Sequence, residues 1–203
     1  VTLNVEVIGT APLERIDLFD GKNIIETVRP WALSNQIERL RITCAGQHYR
    51  GRGRLVKWEV AARFDAGQIE KYNTVNFWNP NKQPKLISET EISWETVTTG
   101  GASAVDLWVN SFSGSDKLLI ETNQGNMTLD ANKIDKEGGV TQECGGMDIR
   151  LNVQQLPKTL SEKCLSISRD LELARGRERR LFLRVTQEDG HQAWTSPFYI
   201  LQS

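Results

Sequence analysis

Three arginines at alternate positions form the first group of residues that could do chemistry. Residues 48–54 read HYRGRGR, so an extended backbone would place Arg50, Arg52 and Arg54 on one face of a strand. Guanidinium groups arranged in this way can bind phosphate or carboxylate groups through paired hydrogen bonds. The alternative is a solvated strand face that leads into the next strand. We favour this alternative, because short charge runs are usually solvent-exposed.

An aromatic loop forms the second group. Residues 76–80 read NFWNP, in which two adjacent aromatic rings are flanked by asparagines and followed by a proline. The ring of Phe77 or Trp78 could stack on the apolar face of a sugar, while the amide of Asn79 bonds its hydroxyl groups. Such a loop more often folds inward and closes the open end of a β-sandwich. The sequence leaves both interpretations open.

Histidines and cysteines are too few and too scattered to predict a catalytic centre. His191 lies beside Glu188 and Asp189, but at a predicted hairpin tip, where cross-strand pairing with Glu188 explains its presence. His48 is the other histidine of the chain, and no Cys-x-x-Cys or His-x-x-x-His spacing occurs. We therefore expect no zinc or iron site, no other cofactor and no catalytic residue. A calcium site built from oxygen ligands stays open.

Composition limits the partners. The chain has 203 residues and a net charge of −1, which predicts a single domain over residues 1–203 and no binding to nucleic acid or to an anionic membrane. No apolar run is long enough to span a bilayer. Three widely spaced cysteines, an odd number, argue against a disulfide framework and favour a cytoplasmic location.

The elements that must position these groups are β-strands. Apolar residues alternate with polar ones in many short segments, of which residues 54–64 form the longest, with Trp58 facing inward. The pattern predicts an all-β fold, an antiparallel β-sandwich with little helix. One helical turn is expected at residues 34–40, with Ser34 as its N-cap.

The last hairpin gives the clearest local prediction. Residues 181–201 should fold about a two-residue turn at Asp189-Gly190. In that register one face is apolar, and it would bury Trp194 in the core. The predicted opposite pairs are Leu181 with Phe198, Leu183 with Ser196, and Val185 with Trp194.

Several segments, in order along most of the chain, carry a family resemblance. They read APLERIDLFDGKNIIETVRPW, YRGRGRLVKWE, NFWNP, WETVTTGG with DLWV, and RVTQEDGHQAWTSPFYI. Together they resemble the carboxy-terminal part of bacterial domain-of-unknown-function family 3604. The resemblance implies a preceding metallohydrolase domain of the polymerase-and-histidinol-phosphatase type, which holds the metals. None of its metal ligands can be placed in this chain.

We therefore predict a non-catalytic accessory β-domain, the carboxy-terminal fragment of a larger metal-dependent hydrolase. The chain begins at Val1 within a strand pattern, as expected for such a fragment. Its expected partner is the catalytic domain of the same protein or another copy in a homo-oligomer. The alternative is a carbohydrate-binding module that uses Trp78 and neighbouring aromatics, and a stand-alone hydrolase is the third hypothesis.

Overall fold

Antiparallel β-strands make up almost all of the regular structure. The computed structural model describes residues 1–134, 138–171 and 178–201. In these residues every strand pairing is antiparallel, and the one helical element is a 3₁₀ turn, Ala131–Lys133. The predicted all-β fold is confirmed. None of the described residues belongs to a helix long and apolar enough to cross a lipid bilayer.

The strands follow one another along the whole chain. They are β1 (Thr2–Ile8), β2 (Leu13–Asp20), β3 (Asn23–Val28), β4 (Arg39–Gln47), β5 (Val56–Phe64), β6 (Gln68–Val75), β7 (Lys85–Ser88), β8 (Glu91–Thr98), β9 (Ala102–Asn110), β10 (Lys117–Thr122), β11 (Met127–Asp130), β12 (Val140–Gly145), β13 (Met147–Leu156), β14 (Cys164–Asp170), β15 (Arg179–Gln187), β16 (Gln192–Trp194) and β17 (Phe198–Ile200).

The chain forms two compact units. The first combines Val1–Ala32 with Thr159–Ser203, and the second is Leu33–Lys158. We call them the terminal unit and the central unit. The assignment of residues 1–203 to a single domain stays a prediction.

The central unit is a β-sandwich of two five-stranded sheets. One has the order β11-β10-β5-β8-β7 and the other the order β12-β13-β4-β9-β6. Alternate side chains of β5 point into the core that the sheets share, as the period of two requires. Trp58 is 1% exposed, and its indole N–H donates to Thr98 Oγ1 at 3.1 Å. Its predicted core position is confirmed.

The terminal unit is smaller. Its larger sheet has the order β16-β15-β2-β3, with β17 also paired to β15, and β1 pairs with β14 as a separate ribbon. Ile16, Leu18 and Leu183 form its core, against which the half-buried Leu3 and Val5 of β1 pack. The strand pattern at the start of the sequence therefore corresponds to β1, in which every second residue is half-buried.

The last hairpin differs from the predicted register by one residue in the half that adjoins its turn. Leu181 pairs with Phe198 as predicted, but Trp194 lies opposite Arg184 instead of Val185. The loop has three residues, because the Gly190 N–H donates to the Gln187 carbonyl and the Gln187 N–H donates to that of His191. Gly190 has φ +86°, which completes a type I turn with a bulge.

This shift overturns the predicted burial of Trp194. A slip of one residue moves a side chain to the other face of a strand. Trp194 is 59% exposed, and Phe198 is exposed as well. The interruption at Ser196-Pro197, between β16 and β17, restores the predicted pairing of Leu181.

The helical turn predicted at residues 34–40 is absent. The Ser34 hydroxyl donates to the carbonyl of Gln36 at 2.6 Å and accepts from its N–H at 3.3 Å. Short-range bonds of this kind compete with a helix for the same backbone groups. Strand β4 begins at Arg39, inside the predicted turn.

A buried group of charges in the central unit was not predicted. Asp106 accepts from Arg39 Nη2 at 2.5 Å, and from Arg41 Nε and Nη2 at 2.6 and 2.9 Å. All three residues are buried, on the face of β4 and β9 opposite the apolar core. The Arg39 guanidinium carbon lies 4.4 Å from the centre of the Trp108 ring, and Lys71 Nζ lies 4.3 Å from it. Cation–π contacts thus accompany the ion pairs.

We expect Trp58→Ala to lower the free energy of unfolding by about 3–5 kcal/mol, through lost burial and the cavity it leaves. Trp194→Ala is the matched control and should change it by less than about 1 kcal/mol, because the side chain is already largely exposed. Urea titrations followed by circular dichroism measure both values. Equal losses for the two variants would contradict the observed register.

We expect Asp106→Asn to lower the free energy of unfolding by about 3–5 kcal/mol, because two buried guanidinium groups lose their shared carboxylate. Asp148→Asn is the matched control. It removes an exposed ion pair with Arg150, at 3.6 Å, and should leave the urea midpoint nearly unchanged. Similar midpoints for the two variants would show that the buried group contributes little.

Candidate functional site

The loop of residues 76–84 joins β6 in one sheet of the central unit to β7 in the other. It begins at Asn76, whose φ of +56° turns the chain away from β6. Within the loop, Asn79 Oδ1 accepts from the Asn81 N–H at 3.0 Å, and the Asn79 carbonyl accepts from the Lys82 N–H at 3.1 Å. At its end the Tyr72 hydroxyl donates to the carbonyl of Pro84 at 3.0 Å. These bonds hold the loop in one conformation.

The two aromatic rings of the loop have different environments. Phe77 packs against the core of the central unit, which agrees with the interpretation that the loop folds inward. Trp78 is 73% exposed, so that interpretation does not apply to it. Asn79 is half-buried. The structure therefore leaves one ring of the predicted pair accessible to a ligand.

Two adjoining cavities lie between this loop and the sheet beneath it. The smaller, of about 340 Å³, is lined by Phe77, Trp78 and Asn79 together with the strands below. The larger, of about 800 Å³, lies beside Asn81 and Gln83. Three charged residues, Glu59, Lys82 and Glu95, line both cavities, so we treat the two cavities as one groove. Its charged lining residues are Lys57, Glu59, Lys82, Lys85, Glu95 and Glu121.

The floor of the groove is the outer face of β5, β8 and β10. Glu59 lies directly opposite Glu95 in the strand register, an arrangement that repels unless another charge compensates it. Lys82 Nζ lies 2.9 Å from Glu95 Oε2. This hydrogen bond and charge lower the pKa of Glu95 below its ordinary value. Glu59 and Glu121 make no ion pair within the part of the chain that the structure describes.

The three arginines do not share a strand face. They lie in the loop between β4 and β5, where Gly51 and Gly53 have φ values of +104° and +76°. A hydrogen bond from the His48 N–H to the Arg54 carbonyl, at 3.2 Å, closes this loop. The predicted extended row is wrong, because the two glycines turn the chain between the arginines. The arginines themselves, Arg50, Arg52 and Arg54, are exposed and do not line the groove.

Histidines and cysteines are dispersed over the chain. His191 lies at the exposed hairpin tip, as the sequence predicts, and its Nδ1 lies 3.1 Å from Asp189 Oδ2. The predicted cross-strand pairing with Glu188 is wrong, because the three-residue loop places His191 opposite Gln187. Cys44, Cys144 and Cys164 are free, and burial raises the pKa of the Cys44 thiol. Among the described residues, no group of three or more His, Cys, Asp and Glu side chains could hold a metal ion.

A second surface lies on the terminal unit, on the outer face of its larger sheet. Phe19 and Phe182 pair across β2 and β15, and their rings stack with centroids 4.5 Å apart. Ile24 lies opposite Phe19 on β3, and Trp194 and Tyr199 lie along the other side of β15. Ile24, Trp194 and Tyr199 are exposed. We call these five residues the aromatic face.

A buried carboxylate fixes an arginine beside this aromatic face. Asp17 accepts from Arg184 Nη2 at 2.7 Å, from Arg15 Nε at 3.2 Å and from the Thr27 hydroxyl at 2.8 Å. The Arg184 guanidinium lies 5.1 Å from the ring centre of Phe19. Burial by itself raises the pKa of Asp17, but the bonds from Arg184 and Thr27 and the charge of Arg15 outweigh it and lower the pKa below its ordinary value.

Sequence reasoning missed both the acidic floor of the groove and the aromatic face. The signal for the second was present, because apolar residues are adjacent in Leu18-Phe19 and in the run from Leu181 to Leu183. Adjacent apolar residues in a strand point to opposite faces. The second face of each strand therefore carries an aromatic ring as well. No local pattern predicts that Glu59 meets Glu95, since this depends on strand pairing.

Asp17→Asn should reduce stability at neutral pH and have less effect in acid. The folded-state pKa of Asp17 lies below its ordinary value of 3.8, so its ionised form stabilises the fold above about pH 4. That contribution is lost as the pH falls through the folded-state pKa. Urea titrations from about pH 7 down to about pH 2.5 should show the difference between the wild type and the variant shrink. A difference that stays constant over this range would contradict the role of the carboxylate.

Comparison with known proteins adds no relative from which a function could be inferred. No protein-family model matches the chain, and neither the curated proteins nor the solved structures give a significant match. The resemblance described from the sequence therefore stays a prediction.

Proposed function

We propose that this chain is a non-catalytic accessory β-domain of a larger protein, and that its aromatic face packs against the catalytic domain of that protein. The observation that carries the proposal is the aromatic face itself. Trp194, Tyr199 and Ile24 are exposed next to the stacked pair of Phe19 and Phe182. Contiguous apolar surface of this kind marks an interaction site in soluble proteins.

The composition of the aromatic face favours a protein partner. Trp, Tyr and Arg are the residues that most often dominate the energy of protein interfaces. Arg184 is held by two hydrogen bonds to Asp17, so it is already ordered before binding. An ordered side chain loses less conformational entropy when a partner covers it. The aromatic face thus offers apolar area, and the ordered guanidinium of Arg184 lies beside it.

The resemblance to family 3604 supports the choice of partner. It implies that a metallohydrolase domain precedes the matched part of the chain. An accessory domain bound to that domain would position it and restrict access to its metal site. In this proposal the chain supplies no group that reacts with substrate.

Isothermal titration of the purified chain with the separately produced catalytic domain tests the proposal. Trp194→Ser and Tyr199→Ser should each weaken the association by about tenfold or more, as expected for central interface residues. Ile8→Ser is the control, because Ile8 is an exposed apolar residue of the same unit outside the aromatic face. It should leave the affinity unchanged.

Two results would overturn the proposal. One is the absence of association at the highest concentrations that can be reached. The other is an equal loss for Ile8→Ser and Trp194→Ser. Light scattering on the chain alone provides a further check. A dimer that dissociates on Trp194→Ser would assign the aromatic face to a second copy instead of to the catalytic domain.

A further inference from the structure

We propose that the groove beneath residues 76–84 binds a neutral oligosaccharide. This function is separate from the accessory role, since the groove belongs to the central unit and the aromatic face to the terminal unit. The two cavities of about 340 and 800 Å³ lie in the size range of small-ligand sites. The groove is open along the sheet, which suits a chain of sugar units more than a compact ligand.

Trp78 provides the stacking surface. Its side chain lines the smaller cavity, and most of its area is exposed. The C–H groups on one face of a pyranose ring form an apolar surface that packs on an aromatic ring. An exposed tryptophan has no role in the core of the central unit, and Phe77 closes the sandwich beside it. Phe77 thus has the structural role that the sequence left open, and Trp78 is available to stack on a sugar.

The floor of the groove provides acceptors for sugar hydroxyl groups. Ionised carboxylates accept hydrogen bonds only, and sugar hydroxyls are donors of matching chemistry. Glu59 and Glu121 line the larger cavity and make no ion pair with any described residue. Glu59 also faces the like charge of Glu95 across the sheet. Lys82 compensates the charge of Glu95, so the Glu59 carboxylate can accept hydrogen bonds from the hydroxyl groups of a ligand.

The charge of the groove selects a neutral ligand. The six charged lining residues are three glutamates and three lysines, so their charges cancel. A polyanion such as nucleic acid or a sulfated glycan would meet three carboxylates in the groove, and recognition of a polyanion requires an excess of cations. Amide groups of Asn79, Asn81 and Gln83 add neutral donors and acceptors along the loop.

Hydrogen bonds within the protein itself shape the groove. The bonds of Asn79 to Asn81 and Lys82 order the loop, and the ion pair from Lys82 to Glu95 joins the loop to the sheet. Lys82 lines both cavities, so this ion pair lies where they adjoin. Ordering the site therefore costs little free energy on binding.

The test is calorimetry and affinity electrophoresis with the full chain. The neutral probes are the hexasaccharides of cellulose, xylan, mannan and laminarin, and the charged probes are a heparin hexasaccharide and single-stranded DNA. We expect saturable binding of at least one neutral probe and none of the charged probes.

Trp78→Ala should weaken the binding of the neutral probe by about tenfold or more, as expected for loss of a stacking ring. Glu59→Ala should weaken it by several-fold, through loss of hydroxyl bonds.

Two matched controls separate the groove from general surface effects. Tyr49→Ala removes an exposed aromatic ring of the same unit outside the groove, and Arg63→Ala alters the same face of β5 beyond it. Both should retain wild-type affinity. All four variants should keep the wild-type unfolding midpoint, because the altered side chains lie at the surface.

Three outcomes would overturn the proposal. They are no saturable binding of any neutral probe, binding of charged probes alone, and an equal loss of affinity for Tyr49→Ala and Trp78→Ala. None of them affects the association with a catalytic domain, which is measured on the other unit. The two proposals can therefore fail independently.

Discussion

Burial of one face of β5 is the constraint on which the central unit depends. Trp58 and Val60 must point into the core between the two sheets, and the period of two then forces Glu59 outward. The partner strand β8 obeys the same rule, which brings Glu95 outward opposite Glu59. The acidic floor of the groove is thus a direct result of core packing. A slip of one residue would bury the carboxylates and expose the tryptophan, at a cost that no surface interaction could offset.

In the second sheet of the sandwich, the same alternation of side chains between the two faces of a strand produces a buried polar group. In β4, Leu40 and Ile42 face the apolar core, so Arg39 and Arg41 must lie on the opposite face, which is also buried. Asp106 on β9 forms an ion pair with each of them. Buried ion pairs of this kind contribute less to stability than their short distances indicate, because each charge has lost its hydration. We expect their stronger effect to be on specificity, since a shifted pairing of β4 and β9 would separate the guanidinium groups from Asp106.

The two candidate surfaces differ in chemistry and in the elements that carry them. The groove is polar, balanced in charge and shaped by a loop that is held by its own hydrogen bonds. The aromatic face is largely apolar, and it lies on paired strands. A groove with hydroxyl acceptors suits a small polar ligand, whereas an exposed aromatic surface suits a protein partner. The two proposals therefore rest on different residues of the chain.

Sequence patterns alone determined the fold class, the position of the long strand β5 and the burial of Trp58, because alternation with a period of two is a local property of a strand. They also located the aromatic loop, although not which ring is exposed. Tertiary structure decided the rest. The bulge at Gly190 shifted the last hairpin and exposed Trp194, and the turns at Gly51 and Gly53 separated the arginines. The pairing of Asp106 with arginines more than sixty positions away has no local signal. Such contacts depend on which strands become neighbours and on how each loop closes, and residue types within one strand do not encode either.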